Sequence, residues 1–157
     1  MPTLSVVVPV KDEAGNVATL AREIAAITSG EGAEIIFVDD GSSDGTTDAL
    51  VSLKTEIPSL RLIRHNRNFG QSRAVRTGVR AAKGDIVVTL DGDGQNDPAD
   101  IPNLLSILRA DNSGKLGLVG GVRANRQDAS NRRFASDRKS TRLNSSHVSE
   151  SRMPSSA

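Results

Sequence analysis

Along the first 110 residues, short and nearly unbroken apolar runs alternate with longer stretches whose apolar residues recur at helical spacing. Such runs read as parallel strands buried on both faces and joined by crossover helices. Strands are expected at Leu4–Val10 (LSVVVPV), 34–40 (EIIFVDD), Leu60–Arg64 (LRLIR), 85–91 (DIVVTLD) and 115–121 (KLGLVGG). Helices are expected at 16–28, 46–54, 71–82 and 98–109. Asp97 followed by Pro98 marks the start of the last helix, because the carboxylate caps free N–H groups and proline suits the first turn. The predicted fold class is α/β, an open and mostly parallel twisted sheet with helices on both faces. Ligands of such sheets gather beyond the carboxyl ends of the strands.

Acidic residues concentrate at those ends. TLDGDGQNDP, residues 89–98, places Asp91, Asp93 and Asp97 close together, where like charges repel unless a cation lies between them. Asp91 and Asp93 stand at i and i+2, a spacing that in extended backbone sends both carboxylates to one side. Gly92 and Gly94 leave room for close approach, and Gln95 adds a neutral oxygen. Hard oxygen donors of this kind suit Mg²⁺ or Mn²⁺, whose shell is completed by water and phosphate oxygens, so a bound pyrophosphate is implied. A solvated turn that caps the next helix would use the same residue types. That plainer role is expected for Asp97, and the metal for Asp91 and Asp93.

A second cluster, VDDGSSDGT at 38–46, closes the second apolar run on the same predicted edge. One carboxylate there could accept hydrogen bonds from a nucleobase or ribose, while Gly41, Ser42, Ser43 and Gly45 form a tight turn. A strand-to-helix turn capped by Asp44 or Ser43 explains the cluster except for the doubled Asp39-Asp40. After the first strand, Pro9 and Glu13 could wall a base pocket, or Asp12, Glu13 and Asn16 could simply begin a helix.

Composition narrows the classes. A chain of 157 residues with 36% hydrophobic and 25% charged residues is sized for one domain. Aromatic residues make up only 2%, and the formal net charge is +1, so neither a stacking platform nor a polyanion footprint for nucleic acid is present. The lack of cysteine excludes disulfides, thiolate metal sites and Cys nucleophiles. No apolar run reaches the length of a membrane span and the start does not resemble a secretory signal, so a cytoplasmic location is expected.

The stretch 137–157 differs from what precedes it, being rich in Ser and Arg without helix or strand period. Residues 137–147 can be back-translated into a common short-read sequencing adapter, and 151–157 into the adapter's far end in the same frame. The expected organisation is a domain over 1–136, the first part of a longer protein, followed by a disordered, non-native tail. Without the tail, 16 Lys and Arg face 17 Asp and Glu.

VVVPVKDEAGNV, IIFVDDGSSDGT, HNRNFGQSRAVRTGVRAAKGDIVVTLDGDGQNDPADIP and GVRANRQDASNRR, in unbroken order, resemble family 2 glycosyltransferases of the dolichol- or polyprenyl-phosphate sugar transferase branch. The resemblance implies a GT-A type fold. The activity it implies is transfer of a sugar, with inversion, from a nucleoside-diphosphate sugar (GDP-mannose or a UDP-sugar) to a polyprenyl or dolichyl phosphate at the cytoplasmic face of a membrane. It assigns Pro9, Glu13 and one of Asp39 or Asp40 to the nucleotide pocket, with Asp40 the base contact. It assigns Asp91, Asp93 and Gln95 to the Mg²⁺ or Mn²⁺ and the diphosphate, and Arg123 to the acceptor phosphate or donor diphosphate. Lys11 stands where the family often has an aromatic residue.

The chemistry is coherent without the name. The barrier to sugar transfer lies in expelling a nucleoside diphosphate, whose growing charge a metal and nearby cations stabilise. A lipid phosphate is already an anion and needs no general base, so His65 need not be catalytic. Arg123, Arg126, Arg132 and Arg133 supply planar donor forks for a phosphate head group, or a solvated basic face. Rival readings are a truncated, non-catalytic nucleotide-sugar-binding fragment, a nucleotidyltransferase on a similar sheet, and a phosphatase with Asp91 as nucleophile. Dinucleotide and P-loop motifs are absent from the sequence.

Overall fold

A computed structural model describes residues 3–113 and 116–121. Four parallel strands, β1 (Leu4–Val10), β2 (Ala33–Asp39), β3 (Leu60–Arg64) and β4 (Ile86–Thr89), lie in the order β3-β2-β1-β4. Helices α1 (Val17–Ile27), α2 (Thr46–Leu53), α3 (Gln71–Ala81) and α4 (Ile101–Ala110) connect and follow them. The α/β class and helices on both faces are as expected. Strand β1 is buried along its whole length because it is flanked on both edges and covered on both faces.

The two faces are unequal. Val17, Leu20, Ala21 and Ile24 of α1, Leu50 and Leu53 of α2, and Ile101 and Leu105 of α4 close a large core over Leu4, Val6, Val8, Ile35 and Phe37. On the other face α3 sits over Val7, Ile36 and Val38 through Ala74. The alternation along β1 and β2 decides which side chain meets which layer. Helix α3 comes so close that a Cβ on Gly78 would fall 2.3 Å from Val7 Cγ1 and 3.1 Å from Val38 Cγ2.

Two expectations are corrected. Residues 116–121 form no strand, since Gly117, Gly120 and Gly121 offer nothing to pack and Leu118 is 85% exposed. Strand β4 stops at Thr89 rather than at 91: the Leu90 N–H reaches Val7 O at 3.0 Å, and the chain then turns so tightly that a Cβ on Gly92 would lie 2.4 Å from Val10 Cγ1. The last helix also begins differently, with a 3₁₀ turn at Pro98–Asp100 before α4, although Asp97 caps it as expected by accepting from the Ala99 N–H at 2.9 Å.

Glu34 is the main polar group under the sheet. Its Oε1 accepts from Ser5 Oγ at 2.7 Å and from the Lys83 N–H at 2.6 Å, and Arg61 pairs with Oε2. Burial pushes the Glu34 carboxyl up, yet bonds from Ser5, Arg61 and the Lys83 N–H outweigh it and leave it below the ordinary glutamate value.

Gly78→Val is expected to lower stability by about 1–3 kcal/mol in urea unfolding, through overpacking against Val7 and Val38. Ser72→Ala, at an exposed position of the same helix, should stay within about 0.5 kcal/mol.

Candidate active site

Strand order reverses direction beside β1: β2 and β3 follow on one side, and β4 returns on the other. That reversal leaves a crevice at the carboxyl ends of β1 and β4. A cleft of about 330 Å³ lies there, walled by Pro9, Lys11, Glu13, Asp40, Gln71, Asp91 and Asp93, among others. Five of the residues picked out by sequence, Pro9, Glu13, Asp40, Asp91 and Asp93, thus meet in one place.

The loop after β1 is clipped onto the loop after β2. Asp12 N–H donates to Ser42 Oγ at 2.9 Å, Glu13 N–H to Thr46 Oγ1 at 2.9 Å and Ala14 N–H to Asp44 Oδ2 at 3.1 Å. In return Ser43 N–H donates to Asp12 Oδ1 at 2.8 Å. Asp12 adopts φ 54, a conformation that non-glycine residues rarely take unless such bonds impose it. The ammonium of Lys11 and the Ser43 N–H hold the Asp12 carboxyl down to about 2. Asp44 also accepts from the Thr46 N–H at 2.9 Å, so it serves the start of α2 although the cap position itself falls on Gly45.

Asp39 and Asp40 part company. Asp39 is fully buried, accepts from the Ser42 N–H at 2.8 Å and from the Thr47 hydroxyl, and does not wall the cleft. Asp40 walls it while holding the loop after β3. Its Oδ1 accepts from His65 Nδ1 at 2.7 Å and from the Phe69 N–H at 2.9 Å, and its Oδ2 from the Gly70 N–H at 2.7 Å. Since an ionised carboxylate only accepts, His65 carries its proton on Nδ1 in this pair. Its Nε2 lies 3.0 Å from Thr77 Oγ1. Burial raises the Asp40 carboxyl, but His65 and the two N–H donors prevail and hold it below the usual aspartate value. Gly41 (φ 72) is needed here, because a Cβ would lie 2.5 Å from the Arg67 carbonyl carbon.

Asp91 and Asp93 reach the cleft from a turn rather than from extended backbone, so the alternation argument does not account for their placement. Gln71, the first residue of α3, donates through Nε2 to Asp91 Oδ1 at 2.6 Å. Gln71 is not among the residues picked out by sequence, since it stands at the start of the predicted helix 71–82 with nothing in its local pattern to mark it. Gln95 is not brought to this cleft. It walls a separate hollow with Asn16, Glu23 and Asp97, and its N–H donates to Asp93 Oδ1 at 3.0 Å. Arg123, Arg126, Arg132 and Arg133 lie outside the described residues.

The donor chemistry fits a divalent cation. Among the described wall residues, Glu13, Asp40, Asp91 and Asp93 stand with one cation, Lys11, an excess of carboxylate that suits an anionic diphosphate accompanied by a cation. Among the described residues no group of three or more His, Cys, Asp or Glu converges; Asp91 and Asp93, both on the cleft wall, are the carboxylates that would hold a cation such as Mg²⁺, with water and phosphate oxygens completing its shell.

Comparison with known proteins decides the family. The family model described as Glycosyl transferase family 2 matches residues 5–154. The chain belongs to that family. Over 128 residues it is 41% identical to a dodecaprenyl-phosphate galacturonate synthase of Rhizobium johnstonii, covering 80% of this chain and 37% of that protein. Over 136 residues it is 40% identical to an undecaprenyl-phosphate 4-deoxy-4-formamido-L-arabinose transferase of Salmonella paratyphi A, covering 85% and 40%. The chain therefore spans about two fifths of the length of these relatives. Among solved structures, a Pyrobaculum calidifontis mannosyltransferase in complex with GDP-Man and Mn²⁺ matches with a TM-score of 0.61 at 28% identity, over 68% of this chain and 32% of that one. A Mycobacterium tuberculosis glucosyl-3-phosphoglycerate synthase in complex with Mn²⁺, UDP and glucosyl-3-phosphoglycerate matches with a TM-score of 0.57 at 26% identity, over 68% and 39%. The GT-A fold is thereby shown.

Asp40→Asn is expected to cost about 1.5–3 kcal/mol by weakening charge-assisted bonds to the 65–70 loop. Because the native carboxyl is depressed, its stabilisation is full above the ordinary carboxylate range and is lost as pH falls through the native value. Urea midpoints measured from pH 7 downward should therefore fall less steeply in Asp40→Asn than in the parent.

Proposed function

We propose that this chain carries the donor-binding part of an inverting transferase that moves a sugar from a nucleoside diphosphate to a polyprenyl phosphate. The observation that carries the proposal is the meeting of Asp91 and Asp93 with Pro9, Glu13 and Asp40 in one cleft at the reversal of strand order. The names of the two relatives, both polyprenyl-phosphate sugar transferases, support the acceptor class. GDP-Man with Mn²⁺ in one solved neighbour and UDP with Mn²⁺ in the other support the donor class.

In this reading the base lies against Pro9 and reaches the Asp40 carboxylate, whose Oδ2 accepts one protein bond and has capacity for another. Asp91 and Asp93 hold the cation, Gln71 fixes the Asp91 carboxylate, and the Gln95 N–H orients that of Asp93. Bound Mg²⁺ or Mn²⁺ supplies the positive charge that stabilises the departing diphosphate. Lys11, on the same wall, adds a second cation for the phosphates. An acceptor that arrives ionised needs no proton removed, and His65, bound to Asp40 and Thr77, serves the loop. Arg123 is assigned to the acceptor phosphate or donor diphosphate. The domain is proposed to run from 1 to 136 with an unrelated tail after it, which the genomic DNA across codon 136 tests directly. Action at the cytoplasmic membrane face belongs to the same proposal; among the described residues no helix is long and apolar enough to cross a membrane.

Labelled nucleotide sugars, Mn²⁺ and polyprenyl phosphate are to be incubated with this chain and with a version extended to the native end. Lipid-linked sugar from the extended version is the expected product, and absence of nucleotide binding by both would defeat the proposal. Asp93→Asn should weaken Mn²⁺-dependent binding of nucleoside diphosphate by at least tenfold, and Gln71→Leu by about tenfold, in titration calorimetry. Unchanged affinity in Asp93→Asn would remove it from the ligand set.

A further inference from the structure

Charge is distributed unevenly between the two faces of the sheet. Between Leu60 and Gly84 the chain holds seven Lys or Arg and no Asp or Glu. On the face of α1, α2 and α4, cations sit beside carboxylates: Arg22 pairs with Glu56 at 2.7 Å and Arg109 with Glu31 at 2.6 Å. On the α3 face, Arg73, Arg76 and Arg80 are exposed, and among the described residues none makes an ion pair. At about 100° per residue these three fall within an arc of about 60°, opposite the buried Ala74 and Gly78.

Helix stability does not explain that stripe. Like charges three and four residues apart oppose a helix, and Arg73 stands in the first turn, where the helix dipole disfavours a cation. The stripe also ends in an apolar contact. Phe69, 36% exposed, has the guanidinium of Arg67 4.8 Å and that of Arg73 5.3 Å from its ring centre. An exposed ring among cations matches a bilayer interface, where the ring enters the headgroup layer and the cations meet lipid phosphates. A soluble anion would use the cations alone.

We propose that the outer face of α3, with Phe69 at its cleft end, docks this protein onto the surface of an anionic phospholipid bilayer. Asn68 and Gly70, on either side of Phe69, wall the cleft, so docking brings the cleft's rim to the surface from which a lipid phosphate would enter. This inference rests on the lipid-phosphate reading for the identity of the surface. The charge distribution stands apart from it.

The test is co-sedimentation of the full chain with vesicles of equal parts phosphatidylglycerol and phosphatidylcholine, and with phosphatidylcholine alone. Binding to the anionic vesicles only, weakening with salt, is expected. Replacing Arg73, Arg76 and Arg80 together by Gln should reduce it about a hundredfold, at about fivefold per charge, and replacing all three by Lys should preserve it. Phe69→Ala should weaken vesicle binding as well. Neutralising Arg22, Lys54 and Arg109 on the other face should leave it intact. Equal binding by the two neutralised triples, or no preference for anionic vesicles, would overturn the docking face. Displacement by inorganic phosphate at matched ionic strength would replace it with a soluble-anion site. Nucleoside-diphosphate binding, read on the same preparations, reports on the transferase proposal alone: its absence sinks that proposal however the vesicles divide, and its presence does not rescue a face indifferent to the Gln triple.

Discussion

The cleft depends on one buried carboxylate. Asp40 sits at the end of β2, only 3% exposed, and an ionised group in that position needs donors from elsewhere in the chain. It finds them in His65, Phe69 and Gly70, all from the loop that leads from β3 into α3. That loop sets where α3 begins, and the first residue of α3 is the one whose amide grips Asp91. A chain of polar contacts thus runs from β2 through the β3–α3 loop to the turn after β4, joining three crossovers that share no local sequence. Asp39, one residue earlier, faces the other way and ties down the turn into α2.

The cleft and the helix beside it carry opposite charge. Among the described residues four carboxylates and one lysine wall the cleft, a balance that suits a diphosphate accompanied by a divalent cation better than a bare one. The chain belongs to glycosyl transferase family 2, and two solved structures that share this fold hold Mn²⁺ with GDP-Man or UDP. The outer surface of α3 carries no Asp or Glu, and among the described residues its Arg73, Arg76 and Arg80 make no ion pair, although the chain as a whole is close to neutral. Opposite charges are thus separated over a short distance in one small domain, and in the readings proposed above the carboxylate wall is where a metal-bound donor would sit and the arginine stripe where an anionic surface would.

Much of this was legible from residues alone. Continuous apolar runs can be satisfied only by burial on both faces, so β1, β2 and β3 and the parallel class follow from composition over a few residues. Asp97-Pro98 announced a helix start because capping is local chemistry. The doubled Asp39-Asp40 and the spaced Asp91 and Asp93 stood out because strand ends seldom gather unscreened acids without a purpose. Two readings erred where local pattern was followed past its range. KLGLVGG carries apolar residues but three glycines, and without side chains to bury it forms no strand over its described residues. Asp91 and Asp93 share a cleft because Gly92 lets the chain turn against Val10, not because an extended strand alternates.

What the sequence by itself determined was the set of buried runs, the helix starts and the kinds of atoms available for chemistry, since each depends on neighbours within a few positions. Only the tertiary structure decided that Asp40 and not Asp39 walls the cleft, that Gln71 holds Asp91, and that Gln95 belongs to another hollow. Those outcomes depend on strand order and on how closely α3 approaches the sheet. Both are set by contacts between segments twenty or more residues apart, and no local pattern records them.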